Sequence, residues 1–164
     1  MSVLPILRWP DRRLSEACAP VDCVDGEVRR LAADMLETMY AAPGRGLAGP
    51  QVGAMLRIFV MDATWREGIR DPRVCLNPVL EDMSAETAVG QEGCLSIPGV
   101  LADVRRPVRT VLRWTDLEGR ACRADLEGFA ARCAQHEIDH LDGIVTFDRI
   151  APEARARLLA EYAA

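Results

Sequence analysis

Only two histidines occur in this chain, and they stand four residues apart, at His136 and His140. At 3.6 residues per turn, positions four apart share one helix face, so both imidazoles can reach one metal ion. Glu137 lies between them, where a general base is wanted. H-E-x-x-H on a helix is a metal-hydrolase pattern; two isolated histidines would otherwise be a surface pair or core residues. Two imidazoles do not complete a centre. Cys133 shares the helix stripe, but seven residues separate it from His140, about 10 Å along the axis. Ligand bonds are only about 2.0–2.3 Å long, so three successive turns of one straight helix cannot converge on one ion. Cys133 therefore reads as a core residue beside the site, and the third ligand comes from elsewhere.

With no further histidine, the choice lies among a distant cysteine, an aspartate and a glutamate. The best-placed candidate is Cys94 in "GQEGCLSIPG", where flanking glycines let the backbone turn tightly and present a thiolate. Taken alone, Cys94 reads better as a buried free thiol than as a ligand. Two imidazoles and a thiolate leave a divalent ion with an open fourth position, the catalytic rather than the closed structural arrangement. Such an ion lowers the pKa of a bound water, and Glu137 is placed to take the proton.

The elements that position these residues follow from periodicity. "VDGEVRRLAADMLETMYAAPG" predicts a long helix with Asp25 as N-cap and Pro43-Gly44 as its stop. "RGLAGPQVG" reads as a turn segment. "LRIFVMDA", "RVCLNPVL", "RTVLRWTD" and "RACRADLEG" read as strands, the last two joined by a hairpin around Glu118-Gly119. The metal-binding helix is predicted from about Gly128 to Leu141, and a short terminal helix at about 152–163, with Pro152 in its first turn. Strands grouped between helices indicate an α+β fold rather than alternating βαβ units.

A chain of 164 residues, 49% apolar and 27% charged, fits a single domain (1–164) of ordinary composition. A net charge of -5 without a basic block argues against DNA as a partner. No run approaches the roughly twenty apolar residues that cross a bilayer, so no membrane partner is expected. The start lacks a basic leader followed by a long apolar run. Six cysteines (Cys18, Cys23, Cys75, Cys94, Cys122, Cys133) without C-x-x-C spacing read as free thiols, which together points to the cytoplasm.

Three segments, in order, resemble the peptide deformylases. "GRGLAGPQVG" is similar to that family's G-x-G-L-A-A-x-Q-[VI]-G, "EGCLS" at 92–96 to its second motif, and "QHEIDH" at 135–140 to its third. "DMLETMYAAPG", "CLNPVL" and "LPILRWPDRRL" extend the likeness over nearly the whole chain. The resemblance implies mixed or antiparallel sheets around a central metal-binding helix. It implies hydrolytic removal of formate from the N-terminal formyl-methionine of nascent bacterial chains, with N-formylated peptides as substrate and the ribosome as a place of work. It also implies Cys94, His136 and His140 as ligands of ferrous iron, with Zn2+ or another divalent ion as an alternative occupant of a purified sample. Glu137 would move protons, the Gln51 amide and the Leu95 N–H would hold the oxyanion, and Gly46 would bring its backbone against the peptide.

Three positions depart from the family pattern. Gly49 replaces a second alanine, which would loosen the turn. Arg45 and Arg132 stand where pocket-lining aliphatic residues are usual, beside Phe129 and Cys133 as further candidate substrate contacts. In one reading both arginines lay their stems along the wall and put their heads in water. In the other the pocket is polar and prefers an acidic side chain, or the chain is a metal-binding paralogue without this activity. Glu92 and Arg106 read either as a pair fixing the Cys94 strand or as two solvated charges. A metallopeptidase of the H-E-x-x-H kind is the competing hydrolase, but it leaves EGCLS and Gln51 without a role.

Overall fold

The computed structural model describes residues 1–164. Helix α1 runs Gly26–Ala41. The Asp25 carboxylate accepts from the Val28 N–H at 2.9 Å, satisfying one of the free donors at the helix start. Val28, Ala32, Met35 and Met39, spaced four, three and four, form its buried stripe.

Five strands build the main sheet: β1 (Gly46–Ala48), β2 (Ile58–Met61), β3 (Arg73–Glu81), β6 (Arg109–Thr115) and β7 (Ala121–Glu127). Their order is β1-β2-β3-β6-β7, antiparallel throughout. All four residues of β2 are buried because both sheet faces are covered. Ile58 and Val60 join the α1 cluster on one side, while Phe59 and Met61 meet helix α2 (Gly128–Leu141) on the other.

A second, two-stranded sheet pairs β4 (Thr87–Cys94) with β5 (Ile97–Pro107). Along β5, Val100, Ala102, Val104 and Arg106 alternate inward. The register shifts between Glu92 and Cys94, which re-aims the end of β4. Helix α3 (Pro152–Ala163) packs on β5 through a third cluster with Leu14, Ile97, Phe147 and Leu158. The Tyr162 hydroxyl ties it to the Trp9 carbonyl at 2.7 Å.

The fold is α+β with antiparallel sheets packed around α2, as the sequence predicts, and α1, α2 and α3 fall at the predicted residues. One expectation needs correction, and one element was not foreseen. "RGLAGPQVG" is more than a turn: it supplies strand β1 and a 3-10 turn over Gly49–Val52. Residues 87–107 form a long hairpin that periodicity does not reveal, because Gly90, Gly93, Pro98, Gly99 and Pro107 interrupt it with residues typical of turns. No helix is long and apolar enough to cross a membrane.

Candidate active site

The bulge at the end of β4 delivers Cys94 to α2, with its Sγ 3.3 Å from His140 Nε2. One ligand atom from each of Cys94, His136 and His140 lies within 4.8 Å of the others. His136 Nδ1 is held by Glu92 Oε1 at 2.9 Å, so its Nε2 is the nitrogen left for a metal. Two buried polar atoms of the same helix, Glu137 Oε2 and His140 Nδ1, lack any protein partner. Orphaned atoms of this kind mark a site that a further group completes. One sulfur and two imidazole nitrogens suit ferrous iron or zinc, so the residues fit a divalent transition metal.

Glu137 is buried, and desolvation raises its carboxyl to about 7. Its approach explains Gly46: a Cβ there would lie 2.5 Å from Glu137 Oε1 and 2.9 Å from Cys133 Sγ. Gly46 thus makes room for the carboxylate as well as exposing backbone to the cavity. Gly49 is tight rather than loosening, since a Cβ would sit 2.6 Å from the Ala54 carbonyl oxygen and 2.8 Å from that of Leu56. Alanine does not fit this turn without a shift.

Gln51 is fully enclosed and oriented at both ends. Its Oε1 accepts from the Ala48 N–H at 2.9 Å, and its Nε2 donates to Ser96 Oγ at 3.1 Å while reaching Cys94 Sγ at 3.7 Å. The Leu95 N–H has no backbone partner within the protein, and the Leu95 side chain packs on Gly44.

Behind the candidate ligands lies a buried charge network. Glu92 receives Arg106 Nε at 2.6 Å and Nη2 at 2.9 Å, and Arg106 Nη1 continues to Asp139 at 3.0 Å. Arg149 then grips Asp139 at 2.6 and 3.0 Å. Burial alone would raise the Glu92 carboxyl, but the His136 and Arg106 hydrogen bonds outweigh it and hold it at about 2. Glu92 and Arg106 are therefore a buried pair, not two solvated charges.

Arg132 follows neither sequence reading. Its side chain is 15% exposed, and Nη1 donates to Glu92 Oε2 at 2.7 Å and to the Val104 carbonyl at 2.8 Å. Nη2 donates to the Ala88 carbonyl at 2.9 Å. The head is thus tied to the β4–β5 hairpin and not free for a ligand. Gly90 admits it, since a Cβ there would stand 2.8 Å from Arg132 Cζ. Arg45 is different: its guanidinium stacks on Phe129, 3.4 Å from the ring centroid. Cys133 is buried and donates to the Arg45 carbonyl at 3.6 Å, outside the ligand set.

A cavity of about 730 Å³ brings together Arg45, Gly46, Gln51, Cys94, Leu95, Phe129, Arg132, Cys133, His136 and Glu137. Of the candidate residues, only His140 lies behind the lining. Sequence reasoning missed Arg66 on the cavity wall, Gly90 under Arg132, and Ser96 behind Gln51. The Ser96 signal was available, since it ends the quoted EGCLS segment.

Comparison with known proteins agrees with this arrangement. Residues 3–156 match the family model for polypeptide deformylase. A peptide deformylase of Alkalilimnicola ehrlichii is 51% identical over 158 residues, covering 96% of this chain and 88% of that one. The crystal structure of a peptide deformylase from Ehrlichia chaffeensis in complex with actinonin superposes with a TM-score of 0.92 at 41% identity, covering 98% of this chain and 96% of the other. That from Thermus thermophilus gives 0.90 at 42% identity, covering 98% and 94%. The three motifs, the three converging ligand atoms and these likenesses over nearly the full length make the chain a member of the peptide deformylase family.

Proposed function

We propose that Cys94, His136 and His140 hold one ferrous ion and that Glu137, Gln51 and Leu95 carry out formyl-group hydrolysis beside it. The observation carrying this is convergence: a buried carboxylate, an oriented amide and one sulfur with two imidazole nitrogens come together at and just behind the wall of one cavity. The bound ion supplies Lewis acidity toward the formyl oxygen and the attacking water. Glu137 takes the water proton as the water oxygen adds to the formyl carbon. It returns that proton to the leaving amine as the C–N bond breaks, giving formate and a free N-terminus. Gln51 Nε2 and the Leu95 N–H donate to the oxygen where negative charge develops; the Ala48 and Ser96 contacts fix the amide beforehand. The Gly46 backbone, Phe129, Cys133 and the Arg132 stem line the space for peptide and side chain.

The same reading makes residues 1–164 one catalytic domain, working in the cytoplasm on chains emerging from the ribosome, where formylated N-termini arise. Arg132, being spent on Glu92, supports methionine rather than an acidic residue as the formylated side chain. The test is formate release by anaerobically prepared, iron-loaded protein from formyl-methionyl, formyl-leucyl and formyl-aspartyl peptides. Fastest release from the methionyl peptide is expected. Preference for the aspartyl peptide, or no release with metal bound, would overturn the assignment.

A further inference from the structure

Three arginines line the cavity, and they are not equivalent. Arg132 is locked to Glu92 and two carbonyls. Arg45 and Arg66 form no ion pair with any carboxylate, although most other arginines around the site do. Both belong to one rim. The turn Trp65–Glu67 is clamped to the loop before β1, with Trp65 Nε1 donating to the Gly44 carbonyl at 2.9 Å and Arg66 Nη2 donating to the Pro43 carbonyl. Arg45 follows Gly44 directly, and Phe129 holds its guanidinium flat, leaving the N–H edge for a ligand.

The cavity offers these two cations no internal counter-charge. Its only carboxylates are Glu92, spent on Arg106, Arg132 and His136, and Glu137, enclosed beside Gly46. Asp62, next to β1 in the sheet, is engaged by the Tyr40 hydroxyl at 2.6 Å and the Asp71 N–H. Partial burial and the neighbouring Arg66 charge work against the charged form of Arg45 and outweigh the opposing influence of Cys133 and of the exposed Glu67, which lies outside the cavity lining. A guanidinium held half out of water beside a second one is stabilised by an anion arriving from outside, and its planar fork matches a carboxylate.

We propose that Arg45 and Arg66 form a carboxylate-binding subsite at the cavity mouth, favouring formylated peptides with a carboxylate shortly after the formylated residue. This rests on the deformylase reading and concerns positions beyond the formyl-methionine, not the pocket for its side chain. The carboxylate comes either from an acidic side chain of a nascent chain or from the C-terminus of a short peptide.

The test uses iron-loaded protein and C-terminally amidated formyl-methionyl peptides with aspartate at the second, third or fourth residue, each matched to its asparagine twin. One asparagine peptide is also made as the free acid. At one aspartate position, kcat/KM is expected to exceed that of the asparagine twin by roughly five- to tenfold, mostly through KM, and to shrink with added salt. A gain confined to the free acid assigns the subsite to peptide C-termini instead. In Arg45→Met and Arg66→Met the acid-to-amide ratio should fall towards one, whatever each variant does to overall rate. Turnover of all peptides with a ratio of one in the wild type, or a ratio that survives both substitutions, overturns the subsite and leaves the reaction standing. No formate from any peptide overturns the reaction and the subsite together.

Discussion

Helix α2 has two stripes, and both are buried. Toward the main sheet it presents Ala131, Ala134, Ile138 and Leu141, spaced three, four and three, packed with Phe59, Met61, Leu112 and Leu126. Toward the β4–β5 hairpin it presents Arg132, Gln135, His136 and Asp139, spaced three, one and three along one face. There every side chain has a named partner: Glu92 and two carbonyls for Arg132, the Pro107 carbonyl for Gln135, Glu92 for His136, and Arg106 with Arg149 for Asp139. The apolar stripe is stabilised by removal of area from water, which tolerates exchange among residues of similar volume. The polar stripe is stabilised only while its pairs stay complete, because a buried charge left alone is far costlier than the intact pair is worth. One helix thus carries a tolerant face and an exacting one, and the candidate ligand His136 sits on the exacting one.

The contrast breaks most visibly at Arg106. Arg106→Leu leaves Glu92 and Asp139 buried with less compensation and should cost about 3–5 kcal/mol, read as a lower thermal midpoint. It should also weaken metal retention through His136, measured by chelator competition. A small effect on both would mean that the polar stripe is as tolerant as the apolar one.

A middle-sized effect sharpens the point at Gly90. Gly90→Ala pushes a methyl into the Arg132 guanidinium and should destabilise by about 1–3 kcal/mol, as overpacking does. In an Arg132→Met background the same alanine should be nearly neutral, so a double-mutant cycle should show coupling of about 1 kcal/mol or more. Additive effects in urea unfolding would contradict the geometry at that contact. The smallest effect belongs to the apolar stripe. Ile138→Val should cost about 0.5–1.5 kcal/mol and leave kcat/KM near the parent value.

The sequence made the apolar stripe, the His136–His140 spacing and the α1 and α2 boundaries legible, because each is a repeat along one segment. The family resemblance added Gln51 and Leu95. What it left open depends on what lies across a gap. Arg132 could be read as solvated or as a pocket charge, since its fate is decided by Gly90 and Glu92 some forty residues away. Gly46 and Gly49 look like turn residues until Glu137 and the Ala54 and Leu56 carbonyls are seen against them. The β4–β5 hairpin was hidden because its glycines and prolines mark sites of close approach and bulging, the same residues that end strands elsewhere.

Glu137→Gln tests the central claim most directly, with metal content and formate release measured on the same anaerobic, iron-loaded preparation. The variant keeps the shape beside Gly46 but loses the proton acceptor. The account predicts one ion per chain, as in the parent, and a loss of about 10²–10⁴ in turnover of a formyl-methionyl peptide. Near-parental turnover at full metal occupancy would remove Glu137 from the reaction and contradict the account.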